Sequence, residues 1–113
     1  MKVVILQQAL EELNDAVNYY EEKQPALGLK LKEEIETHVN WIIQNPDVPG
    51  KRADCYRRVN LKIFPYYIAY TFENKTIWIL SISHSYRKPQ YWIERSRNIP
   101  VEIAFKRFII YIV

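Results

Sequence analysis

Tyr66-Tyr-Ile-Ala-Tyr-Thr-Phe72, a break at Glu73-Asn74-Lys75, and then Ile77-Trp-Ile-Leu-Ser-Ile-Ser83-His84 form the stretch that decides the fold. Both apolar runs are rich in aromatic and β-branched residues, which suit a pleated, half-buried surface. The break between them is short enough only for a tight hairpin turn. In the first run Tyr66, Ile68, Tyr70 and Phe72 fall on one face, and Tyr67, Ala69 and Thr71 on the other. Extended in both directions, the pattern predicts strands over 61–72 and 75–84, with a further strand over 52–59 before them. Together they make a three-stranded antiparallel meander, one face packed on other elements and the other partly open.

Upstream the apolar period changes from two to about 3.6. Ala9, Leu13, Ala16 and Tyr20 make one stripe, widened by Leu10 and Val17, and predict a helix over 7–23. Gln24-Pro25 ends it, because the residue before proline is pushed out of the helical region. Leu27, Leu31, Ile35, Val39 and Ile42 predict a second helix over 26–44, stopped at Asn45-Pro46 before a loop over 47–50. The short Pro-containing connection makes the pair a helical hairpin. Residues 2–6 are a short branched apolar run and read as an edge strand. The fold class is therefore α+β: an N-terminal strand, a helical hairpin and a meander forming one sheet packed on the helices.

At 113 residues the chain suits one domain, and 49% apolar residues place it among globular proteins. Cys55 is the lone cysteine, so no disulfide framework is expected and a reducing, cytoplasmic setting is the natural reading. The start of the chain carries no signal-peptide pattern. Its longest apolar run, Phe108-Ile-Ile-Tyr-Ile-Val113, is far short of the roughly 20 residues of a membrane span, so no membrane association is expected. Two histidines and one cysteine without ligand spacing argue against a metal site. Gly28 and Gly50 alone cannot build a glycine-rich phosphate loop, and no cofactor is expected. Charge is lopsided. Residues 1–50 carry four lysines and nine acids, a balance of −5, whereas residues 51–113 carry twelve Lys/Arg and four acids, a balance of +8. The basic half suits an anionic partner, either nucleic acid or an acidic protein.

Several markers recur in a fixed order. They are Tyr19-Tyr20 late in the first helix, Leu27-Gly28-Leu29 opening the second, Asn45-Pro46 closing it, Arg57-Arg58, Phe64-Pro65-Tyr66, Tyr70, and His84-x-x-Arg87-x-Pro89-x-Tyr91-Trp92. In joint order and spacing the chain resembles the RelE/ParE toxin superfamily of type II toxin–antitoxin systems over roughly residues 2–95. The resemblance implies a compact α+β toxin domain over 1–95, a cognate antitoxin as partner, and growth arrest. Members of that superfamily either cleave mRNA on the ribosome or inhibit DNA gyrase; the motifs do not choose cleanly between the two targets, although the modest net charge and the His84-to-Trp92 ending look closer to the ParE-like side. A third reading is an inactive or weakly toxic relative that only binds its antitoxin. Residues 96–113 depart from the pattern as an apolar C-terminal extension, expected to pack on this domain or on a second copy.

If the chain is an enzyme, it is a metal-independent endoribonuclease. That chemistry needs a base for the ribose 2′-OH, an acid for the leaving oxygen, and cations around the phosphorane. The candidates are His84 as acid or base, with Arg87 and Arg57 holding the phosphate through their forked donors. Arg58 and Lys62 would add positive charge, and Tyr66 and Tyr91 would stack on a base or donate a hydrogen bond. In the RNA-cleaving branch such residues sit on the sheet's open face. Each also has a plainer role: His84 can cap its strand, Arg87 can pair with Glu94, and Tyr91-Trp92 reads first as a packing anchor. Glu11-Glu12 reads as a solvated helix face without catalytic use, and His38 and Cys55 receive no function.

Overall fold

The computed structural model describes residues 1–53 and 55–97, so the expectations for 98–113, including the fate of the apolar extension, lie outside the described residues. The helices form where the apolar stripes predict them. α1 (Gln7–Lys23) buries Ala9, Leu13 and Ala16, and α2 (Leu27–Gln44) buries Leu31, Ile35, Val39 and Ile42. Gln24 is extended (φ −162°, ψ 132°) before Pro25 and ends α1. Ala26 then turns the chain at φ 72°, a left-handed conformation that is strained for an L side chain. The Glu21 carboxylate replaces a conventional cap, accepting the Ala26 N–H at 2.9 Å and the Gly28 N–H at 3.1 Å. Gly28 sits where α2 passes close to α1. A β-carbon there would lie 2.5 Å from the Val17 carbonyl oxygen.

Among the described residues four strands form one sheet: β1 (Lys2–Ile5), β2 (Arg57–Asn60), β3 (Tyr66–Glu73) and β4 (Thr76–His84), in the order β1-β4-β3-β2. β2–β3 and β3–β4 pair antiparallel as expected, and β1 lies at an edge. Because β1 pairs parallel to β4, the sheet is mixed. Asn74 and Lys75 both have positive φ, 51° and 59°, the geometry of a two-residue hairpin turn. Two strands are shorter than predicted. The expected strand over 52–59 shrinks to Arg57–Asn60, because Arg52 bridges Tyr56 around a turn with Ala53 at φ 50°. After Leu61, residues 62–64 leave the ladder and bond to Glu34 of α2.

The main core lies between the hairpin and the sheet, where Ile68, Tyr70, Ile77, Ile79 and Ile82 meet the helix stripes. Burying such side chains contributes roughly 1.5–3 kcal/mol each before the entropy of ordering is counted. The sheet's other face is not the open surface that the pattern suggests. Trp92 is buried against Tyr67, Ala69 and Leu80, and its ring meets Tyr56 edge to face at 4.8 Å. Its indole N–H donates to the Tyr67 hydroxyl at 2.7 Å, which in turn donates to the Arg87 carbonyl at 2.8 Å. This chain of bonds fastens two 3₁₀ turns, Pro89–Tyr91 and Ile93–Arg97, across that face. Tyr91 itself stays half exposed beside the anchor.

A bulge places two residues of β4, Leu80 and Ser81, opposite Ala69, since Ala69 pairs with Ser81 and Tyr70 with Ile79. Ile77 and Ile79 face the helices before it. After it the alternation is shifted by one residue, and Ile82 and His84 face the helices as well.

Candidate functional site

His84 ends β4 opposite Tyr66, and its ring meets the Tyr66 ring edge to face at 5.5 Å. Its Nδ1 accepts the Tyr86 N–H at 3.4 Å. Arg87 follows in the turn, its guanidinium 4.1 Å from the centroid of the Tyr91 ring. These groups line a shallow pocket of about 290 Å³ between the end of β4 and α1. Four of the seven residues singled out by sequence, His84, Arg87, Tyr66 and Tyr91, thus come together. The pocket lies on the helix side of the sheet, and α1 contributes Glu12, Asp15 and Tyr19 to its wall. Two carboxylates beside one imidazole and one guanidinium make its charge mixed rather than cationic. Burial pushes the Tyr66 hydroxyl pKa up, reinforced by the neighbouring Tyr20 and Tyr19, which keeps it a neutral donor.

The other three candidates are elsewhere. Arg57 pairs with Tyr70 on β3, four residues and two strands from His84. At about 3.3 Å per residue and about 4.8 Å per strand, their backbones are roughly 16 Å apart. The Arg57 guanidinium donates to the carbonyls of Asp47 and Pro49, and the Tyr70 hydroxyl donates to the Pro46 carbonyl at 2.7 Å. Together they hold the loop that follows α2. Tyr70 has its pKa raised to about 12, chiefly by burial. Arg58 points to the opposite face, 3.9 Å above the Tyr67 ring, with its Nε donating to the Asn60 side chain at 2.9 Å. Arg58 and Lys62 both line a second, larger groove of about 1060 Å³ between α2 and β2.

Two carboxylates do work that the sequence reading did not assign. Glu12 is not a solvated helix residue. Its Oε1 accepts from the Ser81 hydroxyl at 3.0 Å, the Ile82 N–H at 3.1 Å and Arg95 Nη1 at 3.1 Å, while its Oε2 pairs with Arg95 Nη2 at 3.1 Å. It thereby caps the part of β4 that runs past the end of β1. Arg95 also donates to the Leu80 carbonyl at 3.0 Å, so the second 3₁₀ turn is tied to the same edge. Glu34 is buried on α2 and accepts three backbone N–H groups, from Lys62 and Ile63 at 2.8 Å and from Phe64 at 3.0 Å. Burial alone would raise its pKa. The three N–H groups, helped by His38, outweigh it and hold the carboxyl below its ordinary value. A signal for both was present: each acid lies on an apolar stripe, Glu12 between Ala9 and Ala16, and Glu34 between Leu31 and Ile35.

A helical hairpin laid on a four-stranded sheet, with the aromatic and basic markers at the strand ends, defines a toxin fold of the RelE/ParE superfamily. Residues 3–89 match the family model described as the ParE toxin of the type II toxin–antitoxin system parDE. The chain belongs to this ParE toxin family. Among solved structures, a chain from the chromosomal ParDE TA system of P. aeruginosa superposes with a TM-score of 0.65 at 20% identity. That likeness covers 74% of this chain and 95% of the other, and bears on the fold. No curated protein matches the sequence. Among the described residues no helix is long and apolar enough to cross a membrane.

Proposed function

We propose that this chain is a growth-arresting toxin that acts in the cytoplasm by protein contact on DNA gyrase and is neutralised by a cognate antitoxin. One observation carries the choice of target. His84 and Arg57, which RNA cleavage would need at a single phosphate, lie at opposite corners of the sheet, and Arg57 is committed to the loop after α2. Support also comes from Asp15, a carboxylate in the lining of the pocket that holds His84, which would repel a phosphorane. Trp92 and Tyr56 pack over the sheet's second face. In this reading the toxin domain spans 1–95, residues 96–113 extend it, and Arg87, Tyr66 and Tyr91 form a surface for the target, with His84 beside it and dispensable. Arg58 and Lys62 belong to a different surface.

The test compares two purified assays. The chain should inhibit gyrase supercoiling and leave ribosome-bound mRNA intact, and a His84→Gln variant should arrest growth within about threefold of the parent. Ribosome-dependent mRNA cleavage that disappears in His84→Gln, with antitoxin binding preserved, would replace this reading with the nuclease one. A chain that binds antitoxin but arrests nothing at any expression level would leave only the inactive-partner reading.

A further inference from the structure

From the groove between α2 and β2 we infer an antitoxin docking site that receives an extended segment, apolar on one side and acidic on the other, added to the sheet as a fifth strand beside β2. The inference rests on the proposal that an antitoxin exists, and specifies where and how it binds. β2 is the last strand of the sheet, with no strand on its outer side among the described residues. The Leu61 N–H donates to the Tyr66 carbonyl at 2.9 Å, so the ladder groups of Leu61, Val59 and Arg57 point to β3. The backbone groups of Arg58 and Asn60 therefore point outward, where an added strand would meet them.

Side chains beside that edge select the occupant. On the helix side the groove holds Val59 with Trp41, Val48 and Ile63, the last three exposed at 41%, 65% and 79%. Every second residue of an added strand would drop into it. Arg58 stands on the opposite face of β2, so the intervening residues would face its guanidinium, while Lys30 and Lys62 add positive charge in the lining of the groove itself. Glu33 is the one carboxylate of the lining other than Glu34, which is already saturated by three N–H groups. An alternating apolar and acidic segment satisfies both faces. A second copy of this chain does not, since its β2 would bring Arg57 and Arg58 rather than carboxylates to this cationic edge.

The experiment uses the full chain and the product of the neighbouring short reading frame. Asn60→Pro removes an outward N–H and the exposed side chain that accepts from Arg58, and is tolerated in an edge strand, while Ile63→Glu alters a side chain that is 79% exposed. Each should keep its thermal midpoint within a few degrees and weaken antitoxin binding at least tenfold. In the wild-type complex, amide exchange at Arg58 and Asn60 should slow at least tenfold. Antitoxin that binds both variants like the parent, without slowed exchange at those amides, would overturn the docking site and leave the antitoxin reading intact. Antitoxin that fails to bind the parent chain would overturn both. A concentration-dependent dimer of the lone chain, abolished by Asn60→Pro, would assign the edge to a second copy and so overturn the acidic-strand assignment.

Discussion

The two margins of the sheet use the same device to opposite ends. On each side a carboxylate from a helix reaches across and accepts backbone N–H groups. At the β4 margin Glu12 takes the Ile82 N–H, the Ser81 hydroxyl and Arg95, which closes the edge and pins the chain that follows. At the β2 margin Glu34 takes the N–H groups of residues 62–64, which lie beyond the strand. Among the described residues no strand covers the outward groups of β2, and the looped segment becomes one lip of a groove. The difference teaches that an edge is protected only when the carboxylate lands on the strand itself. Landing one loop later, it shapes a surface instead.

The sharpest way to break that comparison is Glu34→Ala. Three N–H groups would lose a charged acceptor, although Lys62 and Ile63 are exposed enough to find water, so the expected cost is about 3 kcal/mol in urea unfolding. Antitoxin affinity should fall with it, because the lip loses its anchor. A stable variant with full affinity would show that Glu34 does not shape the groove. Glu12→Ala should cost about 2 kcal/mol, as Arg95 keeps the Leu80 carbonyl, and should leave antitoxin affinity unchanged. Equal loss of affinity in both variants would erase the distinction between the margins.

Acid should separate the margins more gently. The folded-state pKa of Glu34 lies below its ordinary value of 4.5, so the unfolded chain takes up the proton first. The stability it contributes is fully present above pH 4.5 and is lost as pH falls through the depressed folded value. Unfolding midpoints measured from pH 6 downward should decline more steeply in the parent than in Glu34→Gln, and parallel curves would refute the assignment. The smallest effect is expected at the hairpin turn, remote from both margins. Ala26→Gly relieves a residue at φ 72° but loosens the unfolded chain, for a net gain of roughly 0.5 kcal/mol with no change in binding.

Local features were legible in the sequence because local rules govern them. The bounds of α1, the stop at Pro25, the helix end at Asn45 and the turn at Asn74-Lys75 all follow from neighbouring residues. Long-range bonds were not legible. Glu12 meets Ile82 70 residues away, and Glu34 meets Lys62 28 residues away. Only their positions on apolar stripes hinted that either was buried. The face on which His84 lies was not legible for a related reason. Counting alternately from Ile77 and Ile79 puts His84 on the face away from the helices, but the extra residue at Leu80 flips the phase and turns His84 toward α1. Arg57 and Arg58 point to opposite faces as alternation requires, yet their sequence could not show that the loop carbonyls of Asp47 and Pro49 had claimed one of them.

Gly28 carries a consequence at a distance. The helices approach so closely there that a single methyl would meet the Val17 carbonyl, so the crossing works as a fulcrum. Trp41 lies thirteen residues further along α2, about 20 Å down the lever at 1.5 Å per residue. A wedge of a few tenths of an ångström at the pivot would swing that indole, and the width of the docking channel with it. Antitoxin affinity measured on a refolded Gly28→Ala chain should therefore register a substitution that touches no part of the interface.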